Sequence, residues 1–147
     1  MDIERYEIES SIGSKYFEFI SKGSNGNIVK VVKYVPFPNQ GEIFNLGFGD
    51  KNLESGELDD LIVSNNGDTD KVLATVAMTV YEFFEEHPFA TVYLKGSTRS
   101  RTRLYQISIS KFIEQISIEF DVYGELENEF ERFKSNVPYK GFLIQKK

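Results

Sequence analysis

The sequence contains no cysteine and no tryptophan, and its one histidine is His87. A chain without cysteine cannot be held by disulfides, use a thiol nucleophile or bind a metal through thiolates. A single histidine also excludes a metal centre built on several imidazoles. We therefore expect no metal and no other cofactor, and we predict no catalytic residues.

Long apolar runs are missing as well. The N-terminus carries Asp2, Glu4 and Glu7 where a signal peptide would carry basic residues, and no apolar stretch follows them. No run approaches the roughly 20 apolar residues that a membrane helix needs. These features predict a cytoplasmic protein that does not bind a membrane.

The glycine-rich motifs of common enzymes are also absent. The chain has neither the Gly-x-x-x-x-Gly-Lys loop nor the Gly-x-Gly-x-x-Gly fingerprint that hold phosphates at a helix start. The Gly-x-Ser-x-Gly turn of serine hydrolases is missing too. An enzymatic function stays open, but a non-enzymatic one is favoured.

The composition that remains is that of a globular protein. The chain has 147 residues, of which 40% are hydrophobic and 27% charged. This length and composition predict one domain, residues 1–147, large enough to bury a core. The net charge is −6 at pH 7, so the surface as a whole does not attract polyanions.

The first third of the chain has the pattern of β-strands. Residues 16–20 alternate, residues 28–34 are rich in valine, and residues 42–48 form a third run. Short turn-forming segments separate these runs, which predicts an antiparallel meander. The acidic residues 51–60 are predicted as a loop, and residues 61–63 as a short strand.

Two helices are predicted in the rest of the chain. The first begins at Asp68 or Thr69, which are preferred caps, and ends at His87 because Pro88 disfavours helical geometry before it. Its apolar stripe consists of Val72, Leu73, Val76, Val80, Phe83 and Phe84. The second helix is favoured from about Ser100 to Ser117, although residues 104–120 also show strand alternation.

Further strands are predicted beside and after the second helix. Residues 89–94 form one, residues 121–126 and 130–133 form a hairpin, and residues 139–145 form the last. This order of elements predicts an α+β fold, with a mostly antiparallel sheet and two helices packed on one face.

One segment of this acidic chain is basic. Residues 87–113 contain no aspartate or glutamate. Their basic residues are Lys95, Arg99, Arg101, Arg103 and Lys111. Because local rather than net charge decides where an anion binds, this segment is the main candidate for a ligand site.

The arginines stand where the second helix is predicted to begin. If Ser100 caps it, Arg101 and Arg103 lie near the positive end of the helix dipole, which is unfavourable by about 0.3–1 kcal/mol each. A bound anion would offset this penalty, held by backbone N–H groups and guanidinium groups together. If the segment is extended instead, the arginines form a stripe along one face. The candidate anion-binding residues are Gly96, Ser97, Thr98, Arg99, Ser100, Arg101 and Arg103.

A structural role of the arginines is the main alternative. Charge clusters of this kind often belong to internal ion-pair networks. The candidate partners are Asp59, Asp60, Asp68 and Asp70.

The acidic stretch at residues 59–70 also offers oxygen ligands for calcium or magnesium. Its spacing does not match the helix–loop–helix calcium pattern. Asn66-Gly67 is a strong turn signal. A turn followed by a helix cap is therefore favoured over a metal site.

The early strands are rich in aromatic residues, which could stack on nucleic-acid bases. These residues are Tyr16, Phe17, Phe19, Tyr34, Phe37, Phe44 and Phe48. A sheet needs large side chains on its buried face, and the chain has no tryptophan, so most of them are predicted to be core.

Three stretches of the chain resemble a known family. They are YFEF at residues 16–19, DDLIVSNNGD with KVLATV at residues 59–68 and 71–76, and KGSTRSRTRLY at residues 95–105. The chain is similar in these stretches to a family of small, functionally uncharacterised bacterial proteins. The resemblance implies a bacterial, cytoplasmic, single-domain protein, and it implies no activity, cofactor or partner.

The favoured function is a non-enzymatic binding module. Residues 99–103 would contact a phosphate-bearing ligand, either a nucleotide or single-stranded nucleic acid. The alternative is a protein-interaction or structural module, such as a homodimer that covers exposed strand edges, in which the arginines are structural. A third hypothesis, a hydrolase or transferase for a phosphorylated substrate, requires Asp59, Asp60 or Asp68 beside the arginines.

Overall fold

A computed structural model describes residues 4–56, 58–59 and 66–147. In these ranges the protein has an α+β fold with two helices and a mostly antiparallel sheet, as the order of elements predicts. The strands are β1 (Glu9–Ser10), β2 (Tyr16–Gly23), β3 (Gly26–Pro36), β4 (Ile43–Lys51), β5 (Leu58–Asp59), β6 (Thr91–Leu94), β7 (Phe120–Glu125), β8 (Phe130–Arg132) and β9 (Phe142–Lys146). The helices are α1 (Thr69–Glu86) and α2 (Arg99–Glu119).

The described residues fall into two compact units, and β4 contributes to both. The α1 unit comprises Asp2–Val35 and Gly47–His87, and the α2 unit comprises Pro36–Leu46 and Pro88–Lys147. The pair β4–β6 is parallel, because a helix lies between these strands in the chain. The pairs β1–β2, β2–β3, β4–β5, β6–β9, β7–β8 and β7–β9 are antiparallel. The prediction of a single domain stays a prediction.

The hairpin of β2 and β3 forms the centre of the α1 unit. Phe17 lies opposite Val32, and Phe19 lies opposite Lys30. The turn is confined to two residues between Gly23 and Gly26, and Gly26 has a φ of +84°. Residues 21–27 were predicted as a turn throughout, which is wrong in extent. The strand continues through Ser21 because this residue is buried and hydrogen-bonded.

Helix α1 packs its predicted apolar stripe into the core of its unit. Phe83 and Phe84 are fully buried, and burial of such side chains contributes about 1.5–3 kcal/mol each. The Tyr34 ring stacks on Phe83 at a centroid distance of 4.3 Å, and its hydroxyl bonds to the Thr79 hydroxyl at 2.8 Å. The stripe prediction is confirmed except at Leu73, which is only half-buried.

In the α2 unit, β6 and β7 alternate strictly between buried and half-buried residues. Ile144 of β9 lies between Val92 of β6 and Val122 of β7, and all three are buried. Gly124 of β7 lies so close to the Tyr139 ring that a Cβ there would be 2.3 Å from it. The predicted hairpin of residues 121–126 and 130–133 is confirmed by the pairing of β7 with β8.

Helix α2 resolves the ambiguity of residues 104–120 in favour of a helix. It extends from Arg99 to Glu119 and leaves helical geometry once, at Phe112 (φ −115°, ψ 16°). The strand-like alternation in its second half continues directly into β7. Of its 21 residues, Thr102, Tyr105 and Ile109 are buried. The Gln106 side-chain amide donates a hydrogen bond to the Val137 carbonyl, which connects α2 to the segment before β9.

Two predictions around residues 51–63 have different outcomes. The loop predicted at residues 51–60 contains the short strand β5, whose residues pair with Asp50 and Lys51 of β4. The strand predicted at residues 61–63 lies outside the described residues.

In the described part of the chain, neither helix is long and apolar enough to cross a membrane.

Candidate functional site

The candidate anion site lies where β6 ends and α2 begins. Gly96 is buried, and its backbone N–H donates to the Thr102 hydroxyl at 3.0 Å. A Cβ at Gly96 would lie 2.5 Å from the Thr102 nitrogen and 2.6 Å from the Arg101 Cβ. Only glycine permits this close approach. The loop is therefore held directly against the first turn of α2.

The cap of α2 is Thr98, not Ser100. Thr98 has extended backbone geometry, and its hydroxyl accepts from the Arg101 N–H at 3.2 Å. Its carbonyl accepts from the Thr102 N–H at 3.1 Å. The helix thus begins earlier than the expected Ser100 cap. This shift places Arg99 and Arg101 in the first turn and moves Arg103 to the second.

The three arginines have different environments. Arg99 and Arg103 are exposed, and neither forms an ion pair or hydrogen bond with any residue that the structure describes. Arg101 is half-buried and donates to the Ser97 hydroxyl. The first turn of α2 contains no acidic residue. Within the described ranges, a structural ion pair therefore does not account for Arg99 or Arg103.

The start of α2 also presents hydrogen-bond donors. In the described part of the chain, the backbone N–H groups of Arg99 and Ser100 have no acceptor, as is usual for the first residues of a helix. The exposed Ser100 hydroxyl lies beside them in the first turn. Arg99 and Arg103 are four residues apart and so lie on the same face of the helix. This arrangement can accept a small anion without displacing an internal partner.

The aspartates proposed as partners of the arginines are placed as follows. Asp68 Oδ2 accepts from the Tyr6 hydroxyl at 2.5 Å and from the Ser21 hydroxyl at 2.6 Å. The side chains of Asp59 and Asp60 lie outside the described residues. Asp68 occupies the predicted cap position of α1, but its side chain makes no capping bond because it bonds these two hydroxyls instead.

A buried polar cluster around Ser21 was not predicted from the sequence. The Asn66 amide donates to the Ser21 hydroxyl at 3.1 Å and to the Gly26 carbonyl at 2.9 Å. The Asn25 N–H donates to the Asn66 side-chain oxygen at 2.6 Å. The Asn66-Gly67 turn signal marks this place, but the partners of Asn66 are 40 to 45 residues away in the chain. The described residues contain no group of three or more side chains that could hold a metal.

A second missed feature is a buried ion pair in the α1 unit. Lys30 Nζ lies 2.5 Å from Asp50 Oδ1, and the Lys30 side chain is 2% exposed. Lys30 stands in the middle of a valine-rich strand, and this is the one sequence signal for its burial. Such a pair is a structural feature unless a ligand reaches it.

On the opposite face of β2, Tyr16 donates to the Glu18 carboxylate at 2.7 Å, and Lys51 binds the same oxygen at 3.0 Å. Burial and the Glu18 carboxylate raise the pKa of Tyr16 to about 12. The hydrogen bond from Tyr16 and the ion pair with Lys51 lower the pKa of Glu18. In the α2 unit, burial and Glu125 likewise raise the pKa of Tyr93. These groups keep their ordinary charge states near neutral pH.

The aromatic residues of the early strands do not form an exposed platform. Tyr16 and Phe37 are half-buried. The buried members are Phe17, Phe19, Tyr34, Phe44 and Phe48. The prediction that most of them are core is confirmed. A ligand at the start of α2 therefore has no stacking surface from these strands.

The model of a family described as a family of unknown function, DUF6934, matches residues 2–147. The chain belongs to DUF6934. This confirms the resemblance to an uncharacterised family seen in the three stretches quoted above. The match covers both units, so DUF6934 describes the whole chain rather than one part of it. No curated protein and no solved structure matches the chain.

Proposed function

We propose that this protein is a binding module for a phosphate-bearing ligand, held at the start of α2. The observation that supports the proposal is the pair Arg99 and Arg103. Both are exposed on one helix face and have no partner among the described residues. Cations near a helix N-terminus are unfavourable by about 0.3–1 kcal/mol each. A bound anion interacts favourably with both the helix N-terminus and the arginines, so it offsets this penalty.

The geometry suits a phosphate group. A guanidinium group binds phosphate through two parallel hydrogen bonds, which lysine cannot do. The N–H groups of Arg99 and Ser100 supply donors directed along the helix axis. Thr98 and Gly96 hold these donors in place before a ligand arrives. The backbone donors of the site therefore need little reordering on binding, whereas the two arginine side chains lose rotamer freedom.

The ligand class follows from what surrounds the arginines. A nucleotide or a single-stranded nucleic acid carries accessible phosphates, and both occur in the cytoplasm, where we place this activity. The aromatic residues of the early strands are mostly buried, so bases contribute little. Binding should accordingly depend on phosphates rather than on base sequence.

The test is fluorescence anisotropy with a labelled single-stranded oligonucleotide, using wild type and Arg99→Ala/Arg103→Ala. Two phosphate contacts on a single strand predict a fall in affinity of about sevenfold between about 50 and 200 mM salt. The double variant should bind at least about tenfold more weakly and lose this salt dependence.

The matched control is Lys22→Ala/Lys33→Ala, which removes the same charge from exposed positions on β2 and β3. This variant should bind like wild type. Equal losses in the two variants would mean a general charge effect and would overturn the site. Absence of binding by wild type at low salt to both oligonucleotide and nucleotide would overturn the function.

A further inference from the structure

Residues 4–8, which precede β1, lie outside the helices and strands of the α1 unit. Tyr6 and Ile8 are half-buried, and the other three residues are exposed. In the described part of the chain, only the side chains of Tyr6 and Glu4 form a hydrogen bond or an ion pair from this segment. The Glu4 side chain is 82% exposed, so its ion pair with Lys71 contributes little. The attachment of this segment, which we call the strap, therefore depends mainly on Tyr6.

The Tyr6 ring is held by an aromatic ring and a cation. It is stacked with the Phe19 ring at a centroid distance of 5.9 Å and an angle of 18° between the planes. Phe19 itself is buried. The Lys71 ammonium group lies 4.2 Å from the centroid of the Tyr6 ring, where a cation is attracted by the π electrons. Both contacts are specific for an aromatic ring.

The Tyr6 hydroxyl uses both of its hydrogen-bonding functions. It donates to Asp68 Oδ2 at 2.5 Å, and it accepts from the Lys22 N–H at 3.0 Å. The Lys22 carbonyl lies 3.1 Å away as a second acceptor. A hydroxyl can donate and accept at once, whereas a carboxylate or an ammonium group can do only one of these. The chemical group that fits these partners is a phenol.

The pocket around Tyr6 is formed by β2 and the beginning of α1. Its residues are Phe19, Lys22, Asp68, Lys71 and Thr75. Hydrogen bonds that do not involve the strap hold this pocket. The Ser21 hydroxyl donates to Asp68 at 2.6 Å, and the Thr75 hydroxyl donates to the Lys71 carbonyl at 2.7 Å. We therefore expect the pocket to persist when Tyr6 leaves it.

We propose that β2 and the start of α1 form a binding site for a phenol ring, and that Tyr6 is its internal ligand. The strap is closed while Tyr6 occupies the site, and an open strap leaves the site to another para-substituted phenol. Because Tyr6 is tethered beside the site, its effective concentration is on the order of millimolar, so a free phenol competes poorly. The strap is therefore an autoinhibitory contact that a ligand must displace.

Asp68 has two sets of hydrogen-bond donors available to it. It occupies the cap position of α1, where aspartate is a preferred residue, but its side chain makes no capping bond. With the strap closed, its carboxylate binds the hydroxyls of Tyr6 and Ser21. With the strap open, we expect it to accept instead from a backbone N–H of the first turn of α1. The strap thus opens without leaving the Asp68 charge unpaired, which favours reversible opening.

The first test is binding of p-cresol by the full chain with Tyr6→Gly, followed by two-dimensional NMR. This phenol is the tyrosine side chain as a free molecule, so it should bind saturably with a dissociation constant on the order of 1 mM. Toluene lacks the hydroxyl and should bind at least about tenfold more weakly. Wild type and the control Glu7→Gly, at an exposed position of the strap, should bind no p-cresol at these concentrations. Absence of binding by Tyr6→Gly, equal binding by wild type, or equal affinity for toluene overturns the proposal.

The second test measures opening of the strap in a variant that keeps the ring. Tyr6→Phe loses only the hydroxyl, so the strap should open at least about fivefold more often. Trypsin cleavage after Arg5 reports opening, because the next residue is held in the pocket, and cleavage after Lys71 reports unfolding of α1. Equal cleavage after Arg5 in wild type and Tyr6→Phe overturns the proposal, as does cleavage after Arg5 that never precedes cleavage after Lys71. Arg99→Ala should leave both tests unchanged and weaken phosphate binding, so the two proposals can fail separately.

Discussion

The structure predicts that the stability of the fold depends strongly on one residue, Lys30. Its ammonium group is buried and paired with Asp50, so loss of either charge leaves the other buried without this ionic partner. Removal of one partner from a buried pair costs about 3–5 kcal/mol. Lys30→Met should therefore lower the free energy of unfolding by about this amount, measured by chemical denaturation.

Two further variants separate charge from packing at this position. Lys30→Met/Asp50→Leu removes both charges and should recover part of the loss, because no unpaired charge remains. Lys33→Met changes the exposed lysine on the same strand and should alter stability by no more than about 0.5 kcal/mol. A Lys30→Met variant as stable as Lys33→Met would contradict the buried pair.

At the scale of one element, the start of α2 depends on Gly96. Gly96→Ala would place a methyl group 2.5 Å from the Thr102 nitrogen, so the loop or the first turn must shift. Such overpacking destabilises by about 1–3 kcal/mol. Because the loop positions the donors of the phosphate site, ligand affinity should fall as well. Thermal unfolding and oligonucleotide binding measure the two effects.

The comparison for Gly96 is Ser100→Ala, in the exposed first turn of the same helix. This change should affect stability by no more than about 0.5 kcal/mol. A Gly96→Ala protein that unfolds and binds like wild type would show that the close approach of loop and helix is not required.

The elements differ in how much of them could be predicted. The apolar stripe of α1 and the β7–β8 hairpin depend on local periodicity, so their prediction from the sequence was successful. The sequence favoured a start of α2 near Ser100, with Ser100 as its cap. The choice of Thr98 depends on the contact of Gly96 with Thr102, which is not visible in local propensity.

The polar features of the molecule could not be predicted for a related reason. Asp68 matches a helix cap in sequence, yet its carboxylate bonds Tyr6, 62 residues away, and Ser21, 47 residues away. Lys30 matches a solvent-facing strand residue until Asp50 of another strand is placed beside it. Composition identified the basic segment, but only the structure distinguishes Arg101, which bonds Ser97, from the exposed Arg99 and Arg103.

At the scale of the whole molecule, a chain of net charge −6 is proposed to bind an anion at one helix start. Beyond a Debye length of about 10 Å at 0.1 M salt, the remaining charges act weakly on a short ligand. All 23 aspartates and glutamates lie outside residues 87–113, so we expect phosphates that extend beyond this segment to add no attraction. A longer strand should therefore make no more phosphate contacts than a short one.

This expectation can be tested with oligonucleotides of about 4 and about 20 nucleotides, which bracket the site sizes of single-strand binding proteins. Affinity should rise with length only as the number of available phosphate positions rises. Each contact beyond the two arginines would add to the salt slope. Because we expect no such contact, the slope should be equal for both lengths. A steeper slope for the longer strand would mean an extended basic track, and the ligand site would then reach well beyond Arg99 and Arg103.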